Sequence, residues 1–173
     1  MEYIHHYISF LGDITVASDG EELTGLWFDG QKYFACRHEE EHEEKQLPIF
    51  DKIDEWLDIY FHGKAPNFTP NVNLKIINGT DFQKTVWKII FSIPYGKTMT
   101  YSEIANLIAN KRNLKNMSAQ AVGGAVGRNP ISLIIPCHRV IGASGDLRGY
   151  AAGIYRKIRL LEMEGKEVIH AVT

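Results

Sequence analysis

Residues Thr100 to Gly127 read TYSEIANLIANKRNLKNMSAQAVGGAVG. Thr100-Tyr-Ser-Glu103 is a capping box. The threonine hydroxyl accepts from the backbone three residues on, and the glutamate accepts from the threonine N–H. It opens a helix whose apolar side carries Ile104, Ala105, Leu107 and Ile108. A polar turn, Asn110 to Met117, leads to Ser118, the N-cap of a second helix over 119–127. Two short helices joined in this way predict a helix-turn-helix unit. The second helix is built from small residues, and its three glycines cost roughly 1 kcal/mol each relative to alanine. Small side chains let a helix backbone approach another surface closely, whether a neighbouring helix or a nucleic-acid groove. Gln120 is the single long polar side chain in the run.

Working outward, Thr80-Asp-Phe-Gln83 is another capping box. Its helix buries Phe82, Val86, Ile89 and Ile90 and ends before Pro94-Tyr-Gly96. Downstream, Asn129-Pro130 stops the small-residue helix and Ile131–Ile135 reads as a buried, strand-like run. A last helix spans Ala152–Glu164, with Ile154, Ile158 and Leu161 inward, Arg156, Lys157 and Arg159 outward, and Gly165 closing it. The first half has a different character. Tyr3–Phe10, Ile14–Ala17, Leu23–Phe28 and Lys32–Cys36 are strand-like runs, and Asp19-Gly20 and Asp29-Gly30 suit tight turns. The charged run His38–Lys45 reads as a solvated loop. Asp51–His62 is an amphipathic helix with Ile53, Trp56, Leu57, Tyr60 and Phe61 on one stripe. Residues 64–79 are rich in proline and asparagine. The boundary placed there divides the chain into domains 1–78 and 79–173.

The 173 residues carry 19 Lys/Arg against 21 Asp/Glu, a net charge of −2, with 45% hydrophobic residues. Disordered and collagen-like chains are excluded by that composition, and no apolar run is long enough to span a bilayer. No basic segment precedes an apolar stretch at the start, so a secretory signal is not expected. Two cysteines, Cys36 and Cys137, make no disulfide framework and fit a reducing, cytoplasmic setting. The net charge hides an asymmetry. Residues 1–78 hold 6 bases and 15 acids, whereas residues 79–173 hold 13 bases and 6 acids. A basic, polyanion-binding module beside an acidic companion is the expectation.

The reactive element is Pro136-Cys137-His138-Arg139-Val140. Proline pushes the residue before it toward extended geometry, so Cys137 leaves the apolar run at a fixed point. Positive charge from His138 and Arg139 favours a thiolate. Cys36 has no such neighbours and reads as a small buried hydrophobe.

Taken together, Phe82-Gln-Lys-Thr-Val-Trp87, Ile93-Pro-Tyr-Gly-Lys-Thr98, Thr100–Ala105, Ala121-Val-Gly-Gly-Ala125, Asn129-Pro130, Ile135–Val140, Gly149-Tyr150 and Leu160–Gly165 resemble the O6-alkylguanine-DNA alkyltransferases, over about Phe82 to Gly165. The resemblance implies an RNase H-like α/β N-terminal domain, a small sheet plus helix. It also implies a mostly helical C-terminal domain with a winged helix-turn-helix-like module. The activity it implies is the irreversible, once-only transfer of an alkyl group from O6 of guanine, with O4 of thymine a further substrate, to Cys137. His138 is then the base acting through a water, Glu164 orients the imidazole, Tyr101 meets the leaving guanine, and Asn129 ties the turn to the cysteine segment. Gln120, Ala121, Gly124 and Arg128 face DNA, and Tyr150 and Ala151 border the pocket. The family usually carries arginine where Gln120 stands, and Lys111, Arg112 and Lys115 of a longer turn are replacement phosphate contacts.

The expected partner is double-stranded DNA containing O6-alkylguanine, bound by a monomer with no cofactor, membrane or obligatory protein partner. A structural metal on Cys36, His38, His42 and His5-His6 is not expected, since the set has one cysteine and no CxxC. Two other readings stand beside this one. A non-catalytic helix-turn-helix protein that binds alkylated DNA would replace the cysteine, which is present. A cysteine hydrolase would draw its histidine from a distant segment.

Overall fold

The computed structural model describes residues 1–32 and 42–167. Most of the expected strand Lys32–Cys36, together with Cys36 and His38, lies outside the described residues. Three strands form a meander: β1 (Glu2–Ser9), β2 (Gly12–Ser18) and β3 (Leu23–Phe28), each antiparallel to the next. A short β4 (His42–Glu44) pairs in parallel with the free edge of β1, giving the order β3-β2-β1-β4. The end of the acidic run is therefore strand rather than loop. Its backbone completes the sheet edge while its charged side chains stay in solvent, a composition that discourages further edge pairing. The β2–β3 turn forms at Asp19-Gly20, where the Asp19 carboxylate accepts from the N–H groups of Glu21 and Glu22 and Gly20 takes a φ of 112°.

Helix α1 (Pro48–Phe61) begins before the position that periodicity suggests, because proline suits the first helical turn, where its N–H is not needed. It buries Phe50, Ile53, Trp56, Leu57 and Tyr60, while Phe61 is only half-buried. Polar pairs fasten it to β1: His5 Nε2 to Asp54 at 2.8 Å and the Tyr7 hydroxyl to Asp58 at 2.6 Å.

The second half holds α2 (Asp81–Phe91), α3 (Tyr101–Lys111) and α4 (Ala119–Gly127), and both capping boxes are formed. Trp87, rather than Phe82 or Ile89, fills the inner face of α2. Its indole N–H donates to the Ala125 carbonyl at 2.9 Å, an approach that the small side chains of α4 allow. On α3 the inward residues are Ile104, Ala105, Ile108 and Ala109. Leu107 is exposed, contrary to the expected face, and Ala109 is buried instead.

The apolar run Ile131–Ile135 is buried but is not a strand. Only Ile131 makes a ladder-like bridge, to Leu26 of β3, with Leu26 N–H donating to Pro130 O and Ser132 N–H to Leu26 O, both at 2.9 Å. The chain then turns, with Leu133 at a φ of 69°. A parallel pair, β5 (Met99–Thr100) and β6 (Val140–Ile141), and helix α5 (Ile154–Met163) complete the structure. One continuous apolar core runs from the sheet through α1 to α2–α5.

Trp87→Phe removes the indole donor and some core volume. It should lower unfolding free energy by about 2 kcal/mol or more in urea denaturation.

Candidate active site and nucleic-acid interface

Asn129 shapes the segment that carries the cysteine. Its buried amide donates to Ile135 O at 2.7 Å, and its carbonyl accepts from Ile131 N–H at 3.0 Å. These bonds take one backbone group at each end of the run, and within it Ile135 N–H donates to Ile131 O at 3.0 Å and Ile134 N–H to Ser132 O at 2.8 Å, so residues 131–135 turn rather than pair as a strand. Pro136 follows, and Cys137–Arg139 form one tight 3-10 turn closed by Arg139 N–H to Pro136 O at 2.9 Å. Cys137 is a free thiol, 4% exposed. Burial pushes its pKa up, and the Asn129 amide and the charge of Lys157 only partly oppose that. The resting sulfur is therefore a thiol that needs a base.

His138, fully buried, has its Nε2 at 2.5 Å from Glu164 Oε2. Burial lowers the imidazole pKa against the pull of Glu164, so the ring is neutral near pH 7. Burial alone would raise the Glu164 pKa, but hydrogen bonds and charge from His138 and Arg139 hold it at about 2. An ionised carboxylate can only accept, so Nε2 carries the imidazole proton. Nδ1 is left as a buried lone pair with no protein partner among the described residues. Glu164 takes three further donors: Tyr60 hydroxyl to Oε2 at 2.7 Å, Arg139 Nε to Oε1 at 2.7 Å, and Gly96 N–H to Oε1 at 2.9 Å.

Arg139 does not serve the sulfur. Its guanidinium binds Glu164 and the Ile93 carbonyl. The cation that acts on Cys137 is Lys157, which faces inward rather than outward as expected from the sequence. It is fully buried, its Nζ donates to Val140 O at 2.5 Å, and burial lowers its pKa to about 8. Its position was visible in the spacing: 157, 160, 161 and 164 form one i, i+3, i+4, i+7 stripe. A lysine on that stripe reads as solvent-facing until the pocket it enters is known. The spacing of Tyr60 marks it only as a core residue, and nothing in that spacing sets its hydroxyl apart.

Tyr101, at the start of α3, is half-buried. Burial and then the neighbouring Cys137 raise its pKa, and a side chain on Gly149 would come within 3.4 Å of its hydroxyl. Tyr150 is buried, with a hydroxyl that has no partner among the described residues. Lys32, Gly123, Gly124, Gly127, Gly149, Tyr150 and Ala151 line a groove of about 310 Å³. On α4 the residues Gln120, Ala121, Gly124 and Arg128 are exposed, and Val122, Ala125 and Val126 are buried. A Cβ on Gly124 or Gly127 would meet nothing within 4 Å, so packing inside the chain does not require glycine at either position.

Among the described residues, no group of three or more His, Cys, Asp or Glu is placed to hold a metal ion. His5 and His6 face Asp54 and Glu44.

A buried thiol with an imidazole–carboxylate pair, beside the exposed helix of a helix-turn-helix, defines a cysteine-based transferase of the DNA-binding class. Residues 3–76 match the family described as 6-O-methylguanine DNA methyltransferase, ribonuclease-like domain, and residues 81–166 match its DNA binding domain. A methylated-DNA–protein-cysteine methyltransferase of Haemophilus influenzae is 38% identical over 94% of this chain and 86% of its own length. One from Mycobacterium tuberculosis is 44% identical over 89% and 87%. The crystal structure of Mycobacterium tuberculosis OGT in complex with DNA superposes with a TM-score of 0.80 at 40% identity, covering 94% of this chain and 93% of that one. The chain belongs to the 6-O-methylguanine DNA methyltransferase family. No helix among the described residues is long and apolar enough to cross a membrane.

The Glu164 pKa is lower in the folded than in the unfolded chain. Its stabilisation is therefore complete above the unfolded value of about 4.5 and is lost as pH falls toward about 2. His138, held neutral by burial, adds a loss that begins below its unfolded value near 6.5. Stability should therefore fall from about pH 6.5 downward. In Glu164→Gln the further loss between pH 4.5 and 2 should be smaller, as read by urea midpoints across pH.

Proposed function

We propose that this protein repairs DNA by direct reversal, moving a methyl or other alkyl group from O6 of guanine, and from O4 of thymine, onto Cys137. The observation that carries the proposal is a buried Cys137 on the same tight turn as His138, whose Nε2 faces the Glu164 carboxylate and whose Nδ1 has no partner among the described residues.

Displacement at an sp³ carbon needs a thiolate rather than an oxyanion hole. His138 Nδ1 takes the Cys137 proton through a water, and Glu164 stabilises the imidazolium that forms. Lys157 lowers the cost of the transient thiolate. Sulfur then forms a bond to the alkyl carbon as the carbon–O6 bond breaks. Guanine leaves with the bonding pair, and the Tyr101 hydroxyl donates to it. In net terms, the proton lost by the thiol and held meanwhile by His138 ends on the departing guanine, which leaves neutral, while Tyr101 keeps its own proton and His138 returns to its resting form. The thioether has no easy route back to thiolate, so each molecule acts once.

A substituent stacked in the duplex cannot meet a buried sulfur, so the nucleotide must be extruded. The exposed face of α4 enters the minor groove. Gln120 fills the gap in the stack, and Ala121, Gly124 and Arg128 lie against the backbone. The extruded base occupies the groove bordered by Tyr150 and Ala151, and Asn129 keeps Cys137 aimed at it. In this reading residues 79–173 are the DNA-handling unit and residues 1–78 its acidic scaffold, acting in the cytoplasm as a monomer.

Mixing the protein with duplex oligonucleotide carrying O6-methylguanine should add one methyl mass to the intact protein, localised to Cys137 and absent in Cys137→Ser. Tight binding without an adduct would overturn the reaction and favour a binding protein. Gly124→Ala should raise helix stability by up to about 1 kcal/mol, because the added methyl meets nothing inside the chain. The same change should weaken duplex affinity in a fluorescence-anisotropy titration.

A further inference from the structure

Tyr60 belongs to α1, in the acidic half of the chain, yet its hydroxyl lies within the buried polar cluster of the basic half. It donates to Glu164 Oε2 at 2.7 Å and stands 3.3 Å from His138 Nε2, so it shares the carboxylate oxygen that the imidazole N–H uses. The phenol is fully buried, stacked on Trp56 and edge-on to Tyr95 and His138. Core packing alone would be met by phenylalanine, whereas a buried hydroxyl is retained at a cost unless it is bonded.

We infer that Tyr60 is a positioning residue for alkyl transfer, supplied by the N-terminal domain, that sets how strongly Glu164 holds His138 and hence how basic the imidazole is. The inference rests on the reading of His138 as the base. An oxygen that accepts from two donors holds each less strongly than it would hold one. While Tyr60 donates, Glu164 stabilises the neutral imidazole's N–H and the imidazolium less than it otherwise would. The base then stays neutral, and able to accept the Cys137 proton, at lower pH. The Tyr60 bond also fixes the carboxylate rotamer that keeps the proton on Nε2 and the lone pair on Nδ1. Among the described residues, the other titratable or charged groups around the imidazole are Cys137 and Arg139 on the same turn, Lys157 and Glu164 at α5, and Tyr150 on the loop before it. Tyr95 faces Glu164 and Arg139, and its hydroxyl is directed to Met163 O. Of these groups, Tyr60 and Tyr95 alone lie outside the 137–164 segment, and Tyr60 alone comes from the N-terminal domain.

The test is the pH profile of single-turnover methyl transfer from duplex O6-methylguanine. Wild type is compared with Tyr60→Phe, with 3-fluorotyrosine placed site-specifically at position 60, and with Glu164→Gln. The rate falls on the acid side as His138 becomes protonated. In Tyr60→Phe the Glu164 Oε2 atom is left to the imidazole alone, the His138 pKa rises, and the acid limb moves up by about half a pH unit. That shift reads as a rate about three-fold lower below the limb. Fluorotyrosine is a stronger donor of nearly the same size and moves the limb down. Duplex affinity, measured in a Cys137→Ser background, is the same in all. A merely structural role would lower the melting temperature of Tyr60→Phe and leave the limb in place. An unshifted limb in both Tyr60 variants, with Glu164→Gln still slow, would overturn the role of Tyr60 and leave the base assignment standing. Glu164→Gln reacting as wild type would overturn the base assignment and the inference with it. If Tyr60→Phe does not fold, the fluorotyrosine shift decides alone.

Discussion

The Glu164 carboxylate is the constraint on which the rest of the site depends. It is buried, ionised and met by four donors: His138 and Arg139 from the cysteine turn, Gly96 from the loop after α2, and Tyr60 from α1. A carboxylate offers about four acceptor positions, so this one is saturated. A buried charge is tolerable only when it is paired and fully bonded, and that requirement joins four separate segments at one point. The glycine at position 96, with a φ of 76°, follows from the same constraint. A Cβ there would stand 3.2 Å from the Glu164 backbone carbonyl.

That junction also explains why the two halves of the chain are not independent in structure, although their charges differ so much. Leu26 of β3 bonds the backbone around Ile131, and Lys32 N–H donates to Ala151 O at 3.0 Å. Arg156 reaches Leu11 O at 2.7 Å and lies over the Phe28 ring. The acidic half touches the segment before the cysteine, the loop after it and the helix behind it. A buried cysteine with a raised pKa depends on the polar groups around it staying in register, and these contacts tie its segment to the acidic half.

The site keeps its thiol unreactive at rest. Burial raises the Cys137 pKa and lowers that of His138, so neither charged form is favoured until the proton moves between them. Lys157 is the exception, a charge kept close to the sulfur by the Val140 carbonyl and ready to stabilise a thiolate. A thiol whose ionisation is disfavoured at rest is less open to loss to other electrophiles.

Much of this was legible in the sequence, because the signals were local. Capping boxes, the stripe of α1, the small residues of α4 and the Pro-Cys-His-Arg segment each depend on spacing within a few residues, and short-range sterics and hydrogen bonding settle them. The sequence also carried the imbalance of charge between the halves. Three features needed the tertiary structure. Ile131–Ile135 has a strand's composition, yet it bonds to Asn129 at both ends and to itself between them, and so it turns. Lys157 has a surface residue's chemistry, yet α5 carries it into the core beside Cys137. Tyr60 has a core residue's spacing, yet its hydroxyl enters a cluster formed by residues 78 and 104 positions away. For Lys157 and Tyr60 the deciding partner is distant along the chain, and only packing brings it within hydrogen-bond range. For Ile131–Ile135 it is near in sequence, but the bonds Asn129 makes there do not show in an apolar composition.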